Sequence, residues 1–454
     1  MAYIRHDENN TPVNPQPGKT TVNQFSSNQG WTTVTYENFN ADYQARNDDN
    51  SARTPGTYQA RNDDNTARTP AVYIRHDETN LPKPALDLRF ALNKSLTDHI
   101  SGNNLITFSR ASSATYVGAD GLIKTAATDE ARFDHDLATG ESLGLLIEES
   151  RTNRLSYSEK FDEWTIGGAA TVTPNAVVAP DGTLTADRVL MSQSGGGSQI
   201  NQPNVVVANV EYTASVWAKA VTPGSNDDFK FRIGGNQSPE FTATGEWQRF
   251  TFTGSTGTPG ILQIKNHKSG NTPADIYFWG AQLEVGSFVT SYIPTDGSAV
   301  TRAADLAEIT GTNFSSWYDQ TEGTIFSEST GNGSKIYQFD NGTNNERIGN
   351  NVNVTASGVF VVNNGSITNL AANTETPPVT YRRAVGLISG SYRAATNGVL
   401  ANEFVVNDMP PVTSVGIGCR ASAIGGGQQL NGHIKRLAYM SGRLPDTILQ
   451  SMTS

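Results

Sequence analysis

Apolar and polar residues alternate with a period of two along most of this chain, in short runs closed by glycine, proline, asparagine or aspartate. Such runs predict strands joined by turns. From residue 84 to 160 the runs are LDLRFAL, then NLITFSRASSATYV, then ARFDHD, ATGE and SLGLLIEE, which read as strand, turn, strand. From 161 to 298 they crowd together: EYTASVWAKA, DFKFRIGG, EWQRFTFTG, GILQIKN and DIYFWGAQLEV, divided by VTPGSNDD, GSTGTPG and HKSGNTPAD. Many short strands with turn-rich joins indicate a β-sandwich or jelly roll. From 299 to 454 follow GTIFSEST, KIYQFD, GVFVVNN, PVTYRRAVGLI, SVGIGCRA and GHIKRLAYM. Only LPDTILQSMTS at the end predicts a short helix. Pro445 and Asp446 suit its first turn, and Leu444, Ile448 and Leu449 share its buried face.

Residues 1–83 break the pattern. Apolar residues are sparse, and prolines at 12, 15, 17, 55, 70 and 82 interrupt any long element. Only Trp31 to Tyr36 is strand-like. A stretch this polar cannot bury enough apolar area to offset its chain entropy, so it is expected to be extended and ordered against a partner. It also repeats itself. YQARNDDNSARTPGT starts at Tyr43, YQARNDDNTARTPAV at Tyr58 and YIRHDETN at Tyr73, and the first residues carry YIRHDEN from Tyr3. Each fifteen-residue unit offers a rigid tyrosine, an arginine beside acidic and amide groups, and a proline that limits the unbound conformations. Extended, it spans at most roughly 50 Å. Repeated weak contacts along a surface that itself repeats would add through effective concentration. The expected docking residues are Tyr3, Arg5, Asp7, Tyr43, Arg46, Asp48, Tyr58, Arg61, Asp63, Tyr73, Arg75 and Asp77. The alternative is a duplicated spacer that makes no contacts.

Composition narrows the function classes. The formal net charge is −11 and charged residues make up 17 % of the 454, which argues against a general nucleic-acid grip. The single cysteine, Cys419, excludes an intrachain disulfide framework and a cysteine zinc cluster. Folding in a reducing cytoplasm is expected, and Cys419 reads as a buried filler. No apolar run approaches the roughly 18 residues of a membrane span. MAYIRHDENN lacks the apolar core of a signal peptide. An exterior-looking β composition without an export signal suits a protein released by lysis.

A family resemblance becomes specific over LDLRFALNKSLTDHISGNNLITFSRASSATYVGADGLIKTAATDEARFDHDLATGESLGLLIEESRTNRL. This run resembles a stretch of tailed-phage virion proteins, often tail-fibre or head-fibre proteins. WGAQLEVGSFVTSYIPTDGSAVTRAAD is similar to the end of the jelly-roll module in such proteins, a module that resembles carbohydrate-binding modules. The closing GQQLNGHIKRLAYMSGRLPDTILQ resembles concanavalin A-like or laminin-G-like sandwiches. The resemblance touches most of residues 86–454. It implies a virion role and a homotrimer; no heptad pattern adds to that.

Candidate chemistry follows from strand alternation. In DFKFRIGG, Phe229, Phe231 and Ile233 point to the core, Lys230 and Arg232 away. In EYTASVWAKA, Ser215, Trp217 and Lys219 oppose the small apolar side, and in DIYFWGAQ, Tyr277 and Trp279 oppose Ile276 and Phe278. Trp217, Lys219, Arg232, Tyr277 and Trp279 are therefore the expected carbohydrate-binding face, with rings for sugar C–H faces and charges for hydroxyls or acidic groups. If both sheet faces are covered, these aromatics are structure instead. In Asp134-His135-Asp136 the two carboxylates could converge on a metal, but placement before a tight turn favours backbone bonding. Asp162, Glu163, Glu246, Glu284 and Glu322 supply acids without a readable pairing for polysaccharide hydrolysis. A structural calcium held by Glu284 and Asp275 is conceivable. His6, His76, His99, His267 and His433 are scattered.

The expected fold is all-β: an extended arm (1–83), a β segment (84–160) that would join the last sandwich, a carbohydrate-binding-module-like jelly roll (161–298) and a concanavalin A-like sandwich (299–454). The expected role is a non-enzymatic virion fibre, made in the host cytoplasm and docked on phage capsid or tail proteins. It would bind a host-surface glycan, with no cofactor, nucleic acid or membrane insertion. A capsid decoration without a ligand and a polysaccharide-degrading tailspike are the alternatives.

Overall fold

The computed structural model describes residues 83–454 apart from 193–196, 226, 267–272, 353–356, 373–379, 406–407 and 422–427, and within residues 1–82 the backbone of four short strands. There, Thr20–Ser26 pairs antiparallel with Gly30–Tyr36, and Arg5–His6 with Pro12–Val13. The sequence had marked only Trp31 to Tyr36 as strand-like. In the backbone register Thr20, Thr21 and Val22 pair with Tyr36, Thr35 and Val34. The docking residues lie outside the described residues, except for the backbone of Arg5.

From residue 83 onward the chain is nearly all β, and every strand pair among the described residues is antiparallel. A host sandwich is built from an eight-stranded and a seven-stranded sheet. In the eight-stranded sheet the order runs Val399–Leu400, Ser391–Thr396, Thr380–Ile388, Glu322–Gly331, Gly432–Met440, Ser142–Ile147, Phe133–His135, and Leu86–Leu88 also pairs with Gly432–Met440. In the seven-stranded sheet it runs Ser366–Ala372, Ser357–Asn363, Arg347–Asn351, Lys335–Asp340, Ser414–Ile417, Leu306–Thr310, Thr107–Ser109. Both sheets thus mix strands from before residue 150 with strands from after residue 305. Their shared core includes Leu86, Leu145, Ile147, Ile309, Ile325, Phe339, Val415 and Ile434.

An inserted sandwich occupies the chain between. Its five-stranded sheet runs Ala170–Val177, Ala186–Met191, Ala274–Val285, Glu211–Ala220, Gln248–Ser255. Its six-stranded sheet runs Thr165–Gly167, Gln199–Val206, Gly260–Lys265, Asp228–Ile233, Asn236–Gln237, with Phe241–Thr242 also on Asp228–Ile233. Alternation sends Phe229, Phe231, Ile233, Leu262, Ile264, Val216 and Ile276 into one core.

Polar groups close the seam where the chain leaves the host sandwich and returns. Arg151–Asn153 pairs with Val300–Arg302. The fully buried Asn153 side chain donates to the Ala281 and Ile293 carbonyls (3.1 and 2.9 Å) and accepts from the Leu155 and Leu283 amides (3.2 and 3.1 Å). Beside it, Asp305 takes Arg110 at 3.1 Å and Arg132 at 2.5 Å, and Glu148 takes Arg132 at 2.7 Å and Arg302 at 2.8 Å. The Ser291 amide and hydroxyl each donate to Glu148 at 2.7 Å. Burial alone would push the Glu148 carboxyl up; Arg302, Arg132 and Ser291 outweigh it and hold it well below the usual carboxylate range.

The last helix, Asp446–Thr453, starts after Pro445 as its sequence predicts. It covers the outer face of the eight-stranded sheet, where Ala384, Ala395 and Ala438 leave room for Leu449, while Leu444 is buried just ahead of it. Ile448 is partly buried against the same cluster. Among the described residues no helix is long and apolar enough to cross a membrane.

Two outcomes are expected. Asp305→Asn strips two buried arginines of a shared counter-ion and should cost about 3–5 kcal/mol, read as a lower urea midpoint. An unfolded glutamate protonates near about pH 4.3, whereas folded Glu148 protonates only in much stronger acid. Its stabilisation is thus complete above the unfolded value and is lost as pH falls from there through the folded one. Denaturation at pH 7 and pH 3 should show a smaller acid-induced loss in Glu148→Gln than in the natural protein; an equal loss would remove Glu148 from the acid response.

Candidate functional site

Trp217 and Trp279 stand directly opposite each other in the five-stranded sheet, on the same face, as alternation predicts. That face is covered at this point. With Tyr292 the two rings form a cluster with centroids 4.7–5.6 Å apart. Exposure is 5 % for Trp217, 1 % for Trp279 and 3 % for Tyr292, under Ile123, Ala179 and Ala186. The Trp279 indole donates to Thr185 Oγ1 at 3.1 Å. Gly280, at φ +63°, is required here, because a side chain would meet the Trp217 ring at 2.9 Å. These tryptophans are therefore core and not a sugar platform. Two segments remote in sequence, around Ile123 and around Tyr292, supply the cover.

Lys219 and Tyr277 stand opposite each other further along the same face, with Arg188 next in the row, and both are half-buried. Arg188 is held by Asp275 through two bonds of 2.8 and 2.6 Å. Arg232 does not join them. Its strand belongs to the six-stranded sheet, so the expected five-residue face is split between two sheets.

The other candidates resolve into structure. Asp134 accepts the Val117 amide at 2.6 Å and pairs with His433 at 2.8 Å. His135 points elsewhere, with Nδ1 3.1 Å from the Val117 carbonyl. Asp136 accepts the Ala138 and Thr139 amides and the Thr139 hydroxyl in the turn that follows. The two aspartates thus do not converge. Glu284 accepts the Thr290 amide (3.0 Å) and hydroxyl, while Asp275 serves Arg188, so they form no calcium pair. No group of three or more His, Cys, Asp or Glu side chains among the described residues is placed to hold a metal ion. Asp162, Glu163 and Glu246 are exposed, and Glu322 accepts the Arg443 amide at 3.1 Å. Cys419 is fully buried, and burial pushes its thiol up to about 12.

The chemistry that remains is around Arg232. Phe229, Phe231, Ile233, Leu262, Ile264 and Ile200 face the core, so the alternate positions of these strands face outward. In one row Gln199, Lys265 and Lys230 stand side by side; in the next, Asn201, Gln263, Arg232 and Gln237. Neighbouring strands lie about 4.8 Å apart and alternate residues about 6.6 Å apart, which places the three cations within about 10 Å. Arg232 donates to Gln263 Oε1 at 3.4 Å, and Gln263 donates in turn to Gln199 Oε1. Arg232 Nε has no partner among the described residues.

Lys265 is 9 % exposed, Gln263 3 % and Asn201 8 %. Lys230 and Lys265 have no ion-pair partner among the described residues. Burial first, then the charges of Arg232 and Lys230, lower the Lys265 pKa. Among the described residues Asp228 is the carboxylate at the end of this face, where it accepts the Thr242 hydroxyl at 2.6 Å. On a chain of net charge −11, this face gathers three cations beside amides, without an ion-pair partner among the described residues. Sequence reasoning missed Gln199, Asn201, Gln263 and Lys265. The available signal was the polar residues at alternate positions of QINQ and GILQIK, in the same period as DFKFRI.

No family model and no curated relative matches the chain. Solved structures similar to it include a sialidase carbohydrate-binding module of family 40 from Ruminococcus gnavus bound to α2,3-sialyllactose, at 17 % identity and TM-score 0.27, covering 30 % of this chain and 83 % of that one. The CBM22-1 xylan-binding domain of Paenibacillus barcinonensis Xyn10C has 16 % identity and TM-score 0.25, covering 30 % and 94 %. Domain 4 of the arabinanase AbnA from Geobacillus stearothermophilus, in complex with arabinotriose, has 9 % identity and TM-score 0.28, covering 37 % and 82 %. At these values they are likenesses only, and the functional reading rests on this chain's own side chains.

If Trp279 is core, Trp279→Ala should cost about 3–5 kcal/mol of stability, measured by chemical denaturation. A variant as stable as the natural protein would contradict the burial described above.

Proposed function

We propose that this protein is a non-enzymatic fibre of a tailed-phage particle that binds an acidic glycan of the host surface through the outward face of its six-stranded sheet. The observation that carries the binding role is the set Lys230, Arg232 and Lys265, adjacent on one face without ion-pair partners among the described residues. Charges kept this close repel one another, and an anion laid across them relieves the repulsion. Amides on Gln199, Asn201 and Gln263 supply donors and acceptors for hydroxyls. Together they match a chain of sugars bearing carboxylate, sulfate or phosphate groups.

The virion role is supported by the resemblance of residues 86–454 to phage fibre proteins and by the repeated phrase in residues 1–83. In this reading the arm holds the fibre on capsid or tail subunits, and the sandwiches project as part of a homotrimer. The protein would be made in the host cytoplasm and act in the virion.

Two experiments test the two halves. Calorimetric titration with acidic oligosaccharides, such as oligogalacturonate, should show binding that weakens as salt rises. Lys265→Gln and Arg232→Gln should each weaken it about 10- to 100-fold, as expected for losing a charge-assisted hydrogen bond of about 1.5–3 kcal/mol. Unchanged affinity in both variants would remove the face from binding, and new reducing ends on incubation would make the protein an enzyme. Deletion of residues 1–83 should leave assembled particles without the protein; normal incorporation would disprove the docking role.

A further inference from the structure

A second feature stands apart from the cationic face. A cleft of about 340 Å³ opens where the inserted sandwich meets the host sandwich. That is near the low end of the range for small-molecule sites, about 300–1,000 Å³, and suits one or two rings rather than a long polymer. Tyr116, Ile123, Leu146 and Trp217 give it apolar surface, and Asp134, His433 and Asn332 give it polar groups. Three chain regions remote in sequence meet here, and the ion network around Glu148 fixes the wall between them.

The charged side chains that line the cleft are each engaged within the protein. Glu148 sits between Arg132 and Arg302, and Asp134 faces His433 at 2.8 Å. Arg249 stacks on the Trp217 ring at 4.3 Å and donates to the Thr290 carbonyl (2.7 Å) and Ser215 Oγ (3.0 Å). The guanidinium of Arg249 is thus held by a ring and two neutral acceptors, and the carboxylate of Glu148 by two arginines, whereas the cations around Lys265 are gathered on one face. Hydrogen-bonding capacity does remain. Trp217 Nε1 and Arg249 Nε are buried without partners among the described residues. Asp134 keeps free lone pairs beyond its two bonds, and the Asn332 amide is exposed. The half-buried Tyr116 ring offers an apolar plane.

We propose that this cleft binds the end of a neutral saccharide, with one sugar face on Tyr116 and hydroxyls on Asp134, His433 and Asn332. A sugar ring combines an apolar C–H face with a rim of uncharged donors and acceptors, which suits a cleft lined by an aromatic plane and by polar groups already engaged within the protein. The protein then carries two saccharide subsites of opposite electrostatic character, one sensitive to salt and one not.

The test uses the full chain and a panel of neutral disaccharides: lactose, cellobiose and maltose. Calorimetry should show saturable binding of at least one, with an affinity that does not fall as salt is raised. Asn332→Trp, at an exposed position, fills the cleft, and Tyr116→Ala removes the stacking plane; each should weaken binding about tenfold or more. Lys265→Gln should leave it unchanged, so failure here and failure of the acidic-glycan face are told apart. Should Tyr116→Ala unfold the protein, Asn332→Trp decides. No binding by any of the three sugars overturns the proposal, and so does binding that survives Asn332→Trp.

Discussion

Glu148 and Asp305 sit at the seam of this molecule, each shared by two buried arginines. Their strands come from opposite ends of a long insertion, since Glu148 precedes the inserted sandwich and Asp305 follows it. Closing such a loop costs chain entropy, and a buried cation without its partner costs several kcal/mol more. The network therefore acts as a register pin. Arg110, Arg132 and Arg302 are satisfied only when both halves of the host sandwich and the returning chain are correctly placed. An apolar seam of equal area would tolerate a slip, whereas these directional bonds do not. Four short segments supply this network: TFSRASS holds Arg110, ARFD holds Arg132, GLLIEES holds Glu148, and VTRAAD holds Arg302 and Asp305.

From this pin follow the two surfaces of interest. Because the inserted sandwich is held against residues 115–123 and 290–292, part of its five-stranded sheet is roofed, and the tryptophans there become core. The six-stranded sheet turns its outer side away from that roof and keeps its lysines and arginine without carboxylate partners among the described residues. The same docking leaves the cleft at the junction. The covered aromatic face and the largely buried cationic one thus lie on opposite sides of the inserted sandwich.

Much of the fold was legible in the sequence, because alternation is a local property. DFKFRI places Phe229, Phe231 and Ile233 inward on pattern alone, and the structure agrees. So does the pairing of Trp217 with Trp279 on one face, and the short helix after Pro445. The candidate site was legible only in part. Alternation put Arg232 on the side of its strand away from the core, as found, but the sequence reading grouped it with residues of the other sheet. Lys265 and Gln263 passed unnoticed in GILQIK, since nothing local distinguishes a charged edge from a binding face.

What the sequence determined by itself is the strand content and the side of each strand on which a residue sits, because both depend on neighbours one or two positions away. Tertiary structure alone decided which strands share a sheet, which outer face is roofed, and which cations stay unpaired. Those outcomes depend on contacts between segments more than a hundred residues apart, such as Arg132 with Asp305, and the period of a single strand holds no record of them.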